Sequence, residues 1–196
     1  MTELRTINLE FAPRGMDMED GLILICDFTN SKLKWFDNKF NVVREVQLTF
    51  EPTGVLIDDG LYLVLDFTNG ALKWFDNDFN LIRTVVLGFS PSAIERIDGE
   101  YFVFDITNSY YFWYSNNFDV VRGKVSTALQ LGMDVEEGLW RFCRLDQQRL
   151  KWYDNKISVI RETQFVFNIS GSHLKDGLYY VLEYTNNQLH IYDNQF

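Results

Sequence analysis

Residues 59–80 read DGLYLVLDFTNGALKWFDNDFN: an Asp-Gly pair, an apolar run, a Thr-Asn-Gly turn and a second run rich in aromatic residues. Short runs of this kind between turn residues predict β-strands joined by tight turns. The same pattern occurs in four further copies, spaced by 39 residues, at residues 20–41, 98–119, 137–158 and 176–196. Because the spacing contains no insertion, the 196 residues form one repeating array.

The copies agree well beyond this stretch. Residues 4–42 and 43–81 are identical at 21 of 39 positions. Three residue types stand at one position in every copy: Gly21, Gly60, Gly99, Gly138 and Gly177; Asn38, Asn77, Asn116, Asn155 and Asn194; and Arg5, Arg44, Arg83, Arg122 and Arg161. We expect residues 1–196 to form a single domain. Its repeat frames are residues 4–42, 43–81, 82–120, 121–159 and 160–196, the last completed by residues 1–3.

Each repeat predicts four short strands, which in the second copy lie at residues 54–57, 61–67, 71–75 and 82–87. The second run is apolar at nearly every position, as a strand packed on both faces must be. The fourth run carries more polar residues, as an outer edge strand does. Four-stranded units repeated about every 40 residues are typical of propeller blades. We therefore predict an all-β fold, a five-bladed β-propeller with four-stranded blades.

The first residues complete the last repeat. Residues 4–11, LRTINLEF, match residues 82–89, IRTVVLGF, and the fifth copy stops at Phe196, where that piece would begin. We therefore expect the strand at residues 2–9 to pair with residues 188–192. This pairing would close the ring and remove a free strand edge.

Residues 54–91, GVLIDDGLYLVLDFTNGALKWFDNDFNLIRTVVLGFSP, resemble the NHL repeat and the related YVTN-type repeat. Those units contain a strand, an Asp-x-x-Gly turn, an apolar strand ending in Asp, a Thr/Asn turn and a strand ending in Phe-Asp. The resemblance covers the whole chain and implies a propeller, although such families more often have six or seven blades. It implies no single function, because these propellers include protein binders, carbohydrate binders and hydrolases.

Residues repeated in every blade are expected to serve the fold. Arg44 should lie opposite Trp35 and stack on its indole, with Asp37 as an ion-pair partner. Asp27 should cap the Thr-Asn turn. The invariant glycines should have positive φ and the invariant asparagines should occupy left-handed turn positions. Cys26 and its equivalent Cys143, in blades that are not adjacent, should be buried free thiols.

Two sets of residues are candidates for a binding site at the channel of the propeller. The first lies in the loops that lead into the innermost strands and has no common chemistry: Arg14, Thr53, Ser92, Leu131 and Ser170. The second lies within those strands: Asp17, Leu56, Glu95, Asp134 and His173. If the second set points to the axis, three carboxylates and an imidazole meet there and hold either Ca²⁺ or another divalent cation, or only water. A shift of one residue in register would turn them into the blade faces instead.

The third copy departs most from the others. Tyr110 and Phe112 occupy positions that are Lys or Ala in the first two copies, and Glu100 replaces Leu. If those positions face solvent, the aromatic pair forms a surface for a protein partner or a sugar, with Glu100 at its rim. The alternative is tighter packing of one blade edge. His190 likewise replaces a Lys and is expected at the surface.

The composition argues against several classes of protein. With a net charge of −10 and no Lys/Arg cluster, we expect neither nucleic-acid nor membrane partners. No apolar run approaches the roughly 18 residues of a spanning helix. The N-terminus has no signal-peptide core, so we expect a cytoplasmic location or a virion. The sequence has no G-x-S-x-G elbow, metal-spaced Cys/His pair or Gly-rich phosphate loop, and predicts no enzyme.

The function predicted from these features is a non-catalytic, rigid binding or structural module with protein partners in a larger assembly. Four Ala against 17 Phe and 15 Asn indicate AT-rich coding DNA, which is typical of phage or viral structural proteins as well as many bacterial ones. The first alternative is a lectin-like carbohydrate binder with equivalent pockets in several blades. The second is a lactonase-like hydrolase with a metal in the channel. No cofactor is expected apart from that divalent cation.

Overall fold

The computed structural model describes residues 1–125, 130–136, 139–144, 148–153 and 159–193, with the backbone alone at residues 125, 130–136, 139–144, 153 and 160. Within these ranges the chain forms twenty β-strands. The described residues contain no helix long and apolar enough to cross a membrane.

The strands form four-stranded antiparallel sheets, here called blades and numbered 1 to 5. The chain begins with β1 (Glu3–Asn8), and blade 1 then consists of β2 (Pro13–Glu19), β3 (Leu22–Asp27), β4 (Lys32–Phe36) and β5 (Val42–Gln47). Blade 2 consists of β6 (Pro52–Asp58), β7 (Leu61–Asp66), β8 (Ala71–Phe75) and β9 (Leu81–Val86). Blade 3 consists of β10 (Pro91–Ile97), β11 (Glu100–Asp105), β12 (Tyr110–Tyr114) and β13 (Val120–Val125). Blade 4 consists of β14 (Gln130–Glu136), β15 (Leu139–Arg144), β16 (Arg149–Tyr153) and β17 (Val159–Gln164). Blade 5 consists of β18 (Ile169–Lys175), β19 (Leu178–Glu183), β20 (Gln188–Asp193) and β1.

The blades stand in a ring around a central axis. The innermost strands β2, β6, β10, β14 and β18 each pack against the next, and β18 packs against β2. The predicted all-β propeller is therefore confirmed. In blade 5 the strand order is β1-β20-β19-β18. Thr6 of β1 lies opposite His190 of β20, so the first strand of the chain is hydrogen-bonded to the last.

The tight turn between the first two strands of a blade has the expected backbone conformation. Asp20 and Gly21 have φ of 50° and 75°, and the equivalent pairs in blades 2, 3 and 5 are alike. Two consecutive positive φ angles define the two-residue hairpin turn that Asp-Gly favours. The prediction for the glycines is confirmed in these blades, whereas Gly138 lies outside the described residues.

The prediction for the invariant asparagines is wrong. The left-handed residue of that turn is the aromatic residue two positions later: Phe40, Phe79 and Phe118 have φ of 68°, 64° and 65°. In this conformation the ring of Phe79 packs between blades, 5.4 Å from the ring of Trp35 in blade 1. The strained position is therefore the residue that joins two blades. Asn155 and Asn194 lie outside the described residues.

The stacking of arginine on tryptophan is confirmed. Arg44 lies opposite Trp35, with its guanidinium carbon 4.8 Å from the ring centre, and blades 2, 3 and 4 repeat the pair. The predicted partner Asp37 is wrong, because its carboxylate accepts backbone N–H bonds of its own turn at 2.9 and 2.8 Å. Arg44 instead donates to the carbonyl of Asn77 in blade 2 at 2.8 Å. The arginine therefore ties one blade to the next.

Buried ion pairs close the other end of the blades. Asp27 is fully buried and accepts the backbone N–H of Asn30 at 3.0 Å, which confirms the predicted cap. The Lys34 ammonium lies 2.9 Å from Asp27 and 4.1 Å from the ring centre of Phe11. Blade 2 repeats this arrangement with a Lys–Asp distance of 2.7 Å. Lys34 therefore faces a buried carboxylate. The assumption that this position, which is Phe112 in blade 3, faces solvent is wrong.

The blades approach each other most tightly where the innermost strands begin. A Cβ atom on Gly15 would lie 2.6 Å from the Cα of Gly54 and 2.8 Å from the carbonyl oxygen of Thr53. A Cβ on Gly171 would lie 2.7 Å from the carbonyl oxygen of Arg14. Such separations are below any normal carbon contact, so a side chain at these positions would force the backbones apart.

Replacing Gly15 with Ala should therefore lower the free energy of unfolding by about 1–3 kcal/mol, because the added methyl meets backbone atoms. The equivalent change Gly54→Ala is a matched control, since its methyl meets the side chain of Leu65, which can move. We expect Gly54→Ala to cost less than Gly15→Ala in urea unfolding. Equal costs for the two variants would show that the inter-strand approach does not limit the fold.

Deleting residues 1–8 tests the role of β1. Its removal uncovers the edge of β20 and breaks the main-chain bonds between them, so stability should fall by more than about 3 kcal/mol, or about 6–12 °C in Tm. The exposed edge should also promote aggregation. A chain lacking only residues 1–2 keeps β1 and serves as the control. If both deletions melt like the parent, β1 is not required for closure.

Candidate functional site

One face of the propeller carries the turns that follow each second strand. The backbone N–H of Phe28 donates to the carbonyl of Ala12 at 3.2 Å, and that of Phe67 donates to the carbonyl of Glu51 at 3.1 Å. These bonds join each turn to the chain that enters the innermost strand of the same blade. We call this the upper face; the predicted sharing of one face by these two segments is confirmed.

An apolar ring occupies the upper face near the axis. Its members, here called the upper-face ring, hold the same repeat position and are half-buried: Phe28, Phe67, Ile106 and Tyr184. The rings of Phe28 and Phe67 meet edge-to-face at 6.0 Å. Sequence analysis missed this set because residues 61–67 were assigned to one strand. The sequence signal for the ring is an apolar residue directly after each buried acidic residue at the end of a second strand. The equivalent residue of blade 4, Leu145, lies outside the described residues.

The predicted loop residues lie at the start of the innermost strands, as the second residue of each, and not in loops. The register of β6 with β7 shifts between Pro52 and Val55, so that Thr53 enters the blade interface. Its hydroxyl donates to the carbonyl of Pro91 in blade 3 at 2.8 Å. Ser170 donates in the same way to the carbonyl of Pro13 in blade 1 at 2.7 Å.

These hydroxyl groups correct the prediction that the loop set has no common chemistry. Ser92, like Thr53 and Ser170, is buried. The three short hydroxyl residues suit a position where one innermost strand meets the next. The side chain of Leu131 lies outside the described residues. Arg14 and Leu131 are the members of the set without a hydroxyl group.

Arg14 contacts two members of the upper-face ring. Its guanidinium carbon is 5.0 Å from the ring centres of both Phe28 and Tyr184, so the group is stacked between blades 1 and 5. Burial lowers the pKa of Arg14, because desolvation disfavours the charged form. This guanidinium adds a positive charge to the otherwise apolar ring.

The predicted channel residues do not meet at one centre in the described structure. Asp17 and His173 come together, with 3.7 Å between Oδ1 and Nδ1. Both oxygens of Asp17 also accept backbone N–H groups, from Met18 at 2.7 Å and from Ile57 at 2.6 Å. Glu95 accepts the backbone N–H of Arg96 at 2.9 Å.

The orientation of this set follows from the alternation of side chains along a strand. Leu56, the blade 2 member, packs with Ile94 and Val103 of blade 3, so the position faces the next blade. Among the described residues no three His, Cys, Asp or Glu side chains are grouped as a metal site would require. The side chain of Asp134 lies outside those residues, so a metal held by all four predicted ligands stays a prediction.

In blade 3 the aromatic pair packs against its own blade. Phe112 stacks on Phe89 at 4.9 Å, and Tyr110 lies 5.1 Å from Phe112 with its ring over Gly123. Glu100 is paired with Arg122 at 2.7 Å. The assumption that these positions face solvent is wrong, since both aromatic residues are half-buried. The contacts favour the packing alternative, and a partner surface here stays a prediction.

A polar cavity of about 390 Å³ lies beside blade 5 and is lined by Glu3, Gln148, Asn168, Glu183, Asn186 and His190, among others. His190 is 6% exposed, so its predicted surface position is wrong. Its Nδ1 is 2.6 Å from Glu3 and its Nε2 is 3.0 Å from Glu183. Its ring also stacks on Phe167 at 4.3 Å, so it takes the place that Lys34 has in blade 1.

Cys26 is a buried free thiol, as predicted. Burial raises the pKa of this thiol, because the apolar surroundings disfavour the thiolate. Cys26 is therefore unsuited to nucleophilic chemistry. The side chain of Cys143 lies outside the described residues.

No protein-family model and no curated protein sequence matches the chain. Its structure is similar to that of glutaminyl cyclase from Myxococcus xanthus, with a TM-score of 0.82 and 12% identity over 97% of this chain and 95% of the cyclase. The WD40 β-propeller domain of Doa1 has a TM-score of 0.62 and 12% identity over 92% of this chain and 63% of its own. BBS1N, solved in complex with ARL6, has a TM-score of 0.55 and 13% identity over 94% of this chain and 66% of its own.

At these identities the similarities show the β-propeller fold alone. The neighbours include an enzyme and a domain solved with a protein partner, so the fold does not decide between catalysis and binding.

The contact of His190 with Glu3 predicts a pH-dependent stability. Hydrogen bonds from His190 and Thr6 lower the pKa of Glu3 from its ordinary value of 4.5. The resulting stabilisation is present above that ordinary value and is lost as the pH falls through the lowered pKa of the folded state. In Glu3→Gln, Tm should therefore fall less than in the parent between about pH 6 and pH 3.

Thermal melts at several pH values check this, with Glu10→Gln as a control for the loss of one exposed carboxylate. Parallel Tm curves for the parent and Glu3→Gln across the range would show that the contact contributes nothing to closure.

Proposed function

We propose that this propeller is a non-catalytic, rigid protein-binding module whose partner sits on the upper face. The observation that carries the proposal is the upper-face ring, whose half-buried apolar side chains include two aromatic residues in contact with one cation. Aromatic residues and arginine are the residue types that dominate binding energy at protein interfaces. An apolar centre of this kind is normally covered by a partner.

The surroundings of the ring suit an interface. Thr29, Asn30, Thr68 and Asn69 on the flanking turns are exposed and polar. An apolar centre with a polar rim is the usual anatomy of a protein interface. Asp27 and Asp66 hold these turns from below through bonds to Asn30 and Asn69 at 3.0 and 2.9 Å, so little order has to be gained on binding.

We also propose that the protein is part of a larger assembly such as a virion. The amino-acid composition is the only support for this part of the proposal. BBS1N, solved with ARL6, illustrates that a propeller of similar shape can bind a protein. The metal-dependent hydrolase gains no support from the described carboxylates, since Asp17 uses both oxygens for backbone N–H groups.

A carbohydrate binder is the second candidate, favoured by the polar cavity beside blade 5. Amide and hydroxyl groups line it, with Asn168 bonded to Thr185 at 3.2 Å and Gln188 bonded to Asn8 at 2.7 Å. The equivalent acidic residues of blades 1 and 2 pair with lysine and asparagine, just as Glu183 pairs with His190 and Asn186. The cavity described beside blade 5 therefore supports a single sugar site there.

Affinity capture with matched variants tests the proposal. The parent, an upper-face variant (Phe28→Ser with Phe67→Ser) and a perimeter variant (Val86→Ser with Val120→Ser) are immobilised and exposed to lysate of the native host. Val86 and Val120 are 76% and 60% exposed on outer strands and control for the loss of surface apolar groups. We expect a protein that the parent and the perimeter variant retain and the upper-face variant loses.

The captured protein is then purified and its Kd measured by calorimetry. Each aromatic at the centre of an interface contributes about tenfold or more, so the upper-face variant should bind at least about a hundredfold more weakly. A partner that binds all three forms equally refutes the upper-face assignment. A glycan array bound by the parent, with no protein captured, selects the carbohydrate alternative.

A further inference from the structure

Arg14 departs from the repeat and, within the described residues, leaves its guanidinium donors without acceptors. Where blades 2, 3 and 5 have Thr53, Ser92 and Ser170, blade 1 has a long cationic side chain. The Arg14 carbonyl oxygen lies 2.7 Å from where a Cβ on Gly171 would stand, much as the Thr53 carbonyl oxygen lies 2.8 Å from a Cβ on Gly15, so the backbone at Arg14 packs as its equivalent does in blade 2. Fold symmetry does not require an arginine here, because Thr53, Ser92 and Ser170 serve the same position in three other blades.

The guanidinium has no anionic partner in the part of the chain that the structure describes. It makes no ion pair or hydrogen bond there, and its Nε is inaccessible and unbonded. Arg44 is the instructive comparison, since it also lies between two rings, Trp35 at 4.8 Å and Phe79 at 5.3 Å. Its terminal nitrogen, however, donates to the carbonyl of Asn77. Arg14 has the same stacked arrangement without an acceptor.

A half-buried cation without an acceptor is costly, and the cost is removed when an anion binds to it. The rings of Phe28 and Tyr184 both contact the guanidinium, so little side-chain freedom is lost on binding. The site is thus preorganised for an anion next to an apolar group.

We infer that Arg14 binds a carboxylate carried by the polypeptide that occupies the upper face. This inference rests on the proposed function and names the chemistry of the partner. A carboxylate matches the fork of one guanidinium with two parallel hydrogen bonds. A phosphate group carries up to two charges and is usually held by several cations, whereas Arg14 is the cation that contacts the ring within the described residues.

The probe is 3-phenylpropionate, whose phenyl group suits the upper-face ring and whose carboxylate suits Arg14. Its neutral analogue, 3-phenylpropionamide, has the same shape without the charge. A charge-assisted hydrogen bond should make the acid bind at least about tenfold more tightly than the amide. Binding is measured by titration followed through two-dimensional NMR spectra of the ¹⁵N-labelled protein, in which the Arg14 Nε–H signal should shift.

Three variants make the test specific. Arg14→Thr copies the residue of blade 2, and its hydroxyl is placed to donate to the carbonyl of Pro52, so the fold should persist. It should lose the preference for the acid. Arg14→Lys keeps the charge without the fork and should retain only part of the preference. Arg44→Gln removes the comparison arginine and should bind like the parent.

Two peptide acids then identify the source of the carboxylate. Acetyl-Gly-Phe with a free C-terminus presents a chain end, and acetyl-Phe-Glu-amide presents a side chain. Tighter binding of either one, lost in Arg14→Thr, supports the inference and says which source the site prefers.

Equal binding of acid and amide by the parent overturns the inference, as does an acid preference that persists in Arg14→Thr. Tighter binding of inorganic phosphate than of 3-phenylpropionate, lost in Arg14→Thr, replaces the carboxylate with a phosphate group and also overturns it. The failure of the proposed function is distinct. If the captured partner is lost in the upper-face variant but binds Arg14→Thr unchanged, the binding module stands and the role of Arg14 is wrong.

Discussion

The whole molecule depends on how closely the innermost strands of adjacent blades can approach. Gly15 and Gly171 stand where a methyl group would meet the backbone of the next innermost strand at 2.6 and 2.7 Å. Small residues there let the blades close round a narrow axis, and hydroxyl groups such as that of Thr53 bond each strand to the next. Because the strands are so close, their side chains point into the interfaces between blades. The predicted channel cluster is for this reason divided, with Asp17 and His173 paired across one interface.

The repeated polar residues are occupied by the fold itself. Asp27 binds its own turn and a lysine, and Arg44 stacks on one blade while donating to the next. Buried polar side chains need these hydrogen bonds and ion pairs, because an unpaired buried polar group lowers the stability of the fold by about 1–3 kcal/mol. Residues that bind a partner are therefore expected at positions where one blade differs from the others. Phe112 and His190 depart from it but are repacked within their surroundings. Arg14 departs from it and keeps its donors free of acceptors in the described structure.

The candidate site could be predicted only in part. The repeat locates the start of every innermost strand, and Arg14 lies there, although within the strand and not in the predicted loop. Its stacking between Phe28 and Tyr184 could not be predicted, since these residues lie in different blades and 156 positions apart in the chain, from 28 to 184. The burial of Lys34 was also missed. Strand alternation predicts which face of the sheet a side chain is on, but it does not predict that Lys34 can pair with a buried carboxylate on the neighbouring strand.

The sequence by itself determined the propeller, the repeat frame, the Asp-Gly turns and the pairing of Arg44 with Trp35. These features are local or lie on neighbouring strands, and the 39-residue repeat states each of them several times. Only the tertiary structure decided the partners across blades: the carbonyl that Arg44 binds, the division of the acidic cluster and the setting of Arg14. The physical reason is that these contacts depend on the distance and rotation between packed sheets. Both quantities arise from the close approach of backbones at Gly15 and Gly54, which no pattern within a single repeat describes.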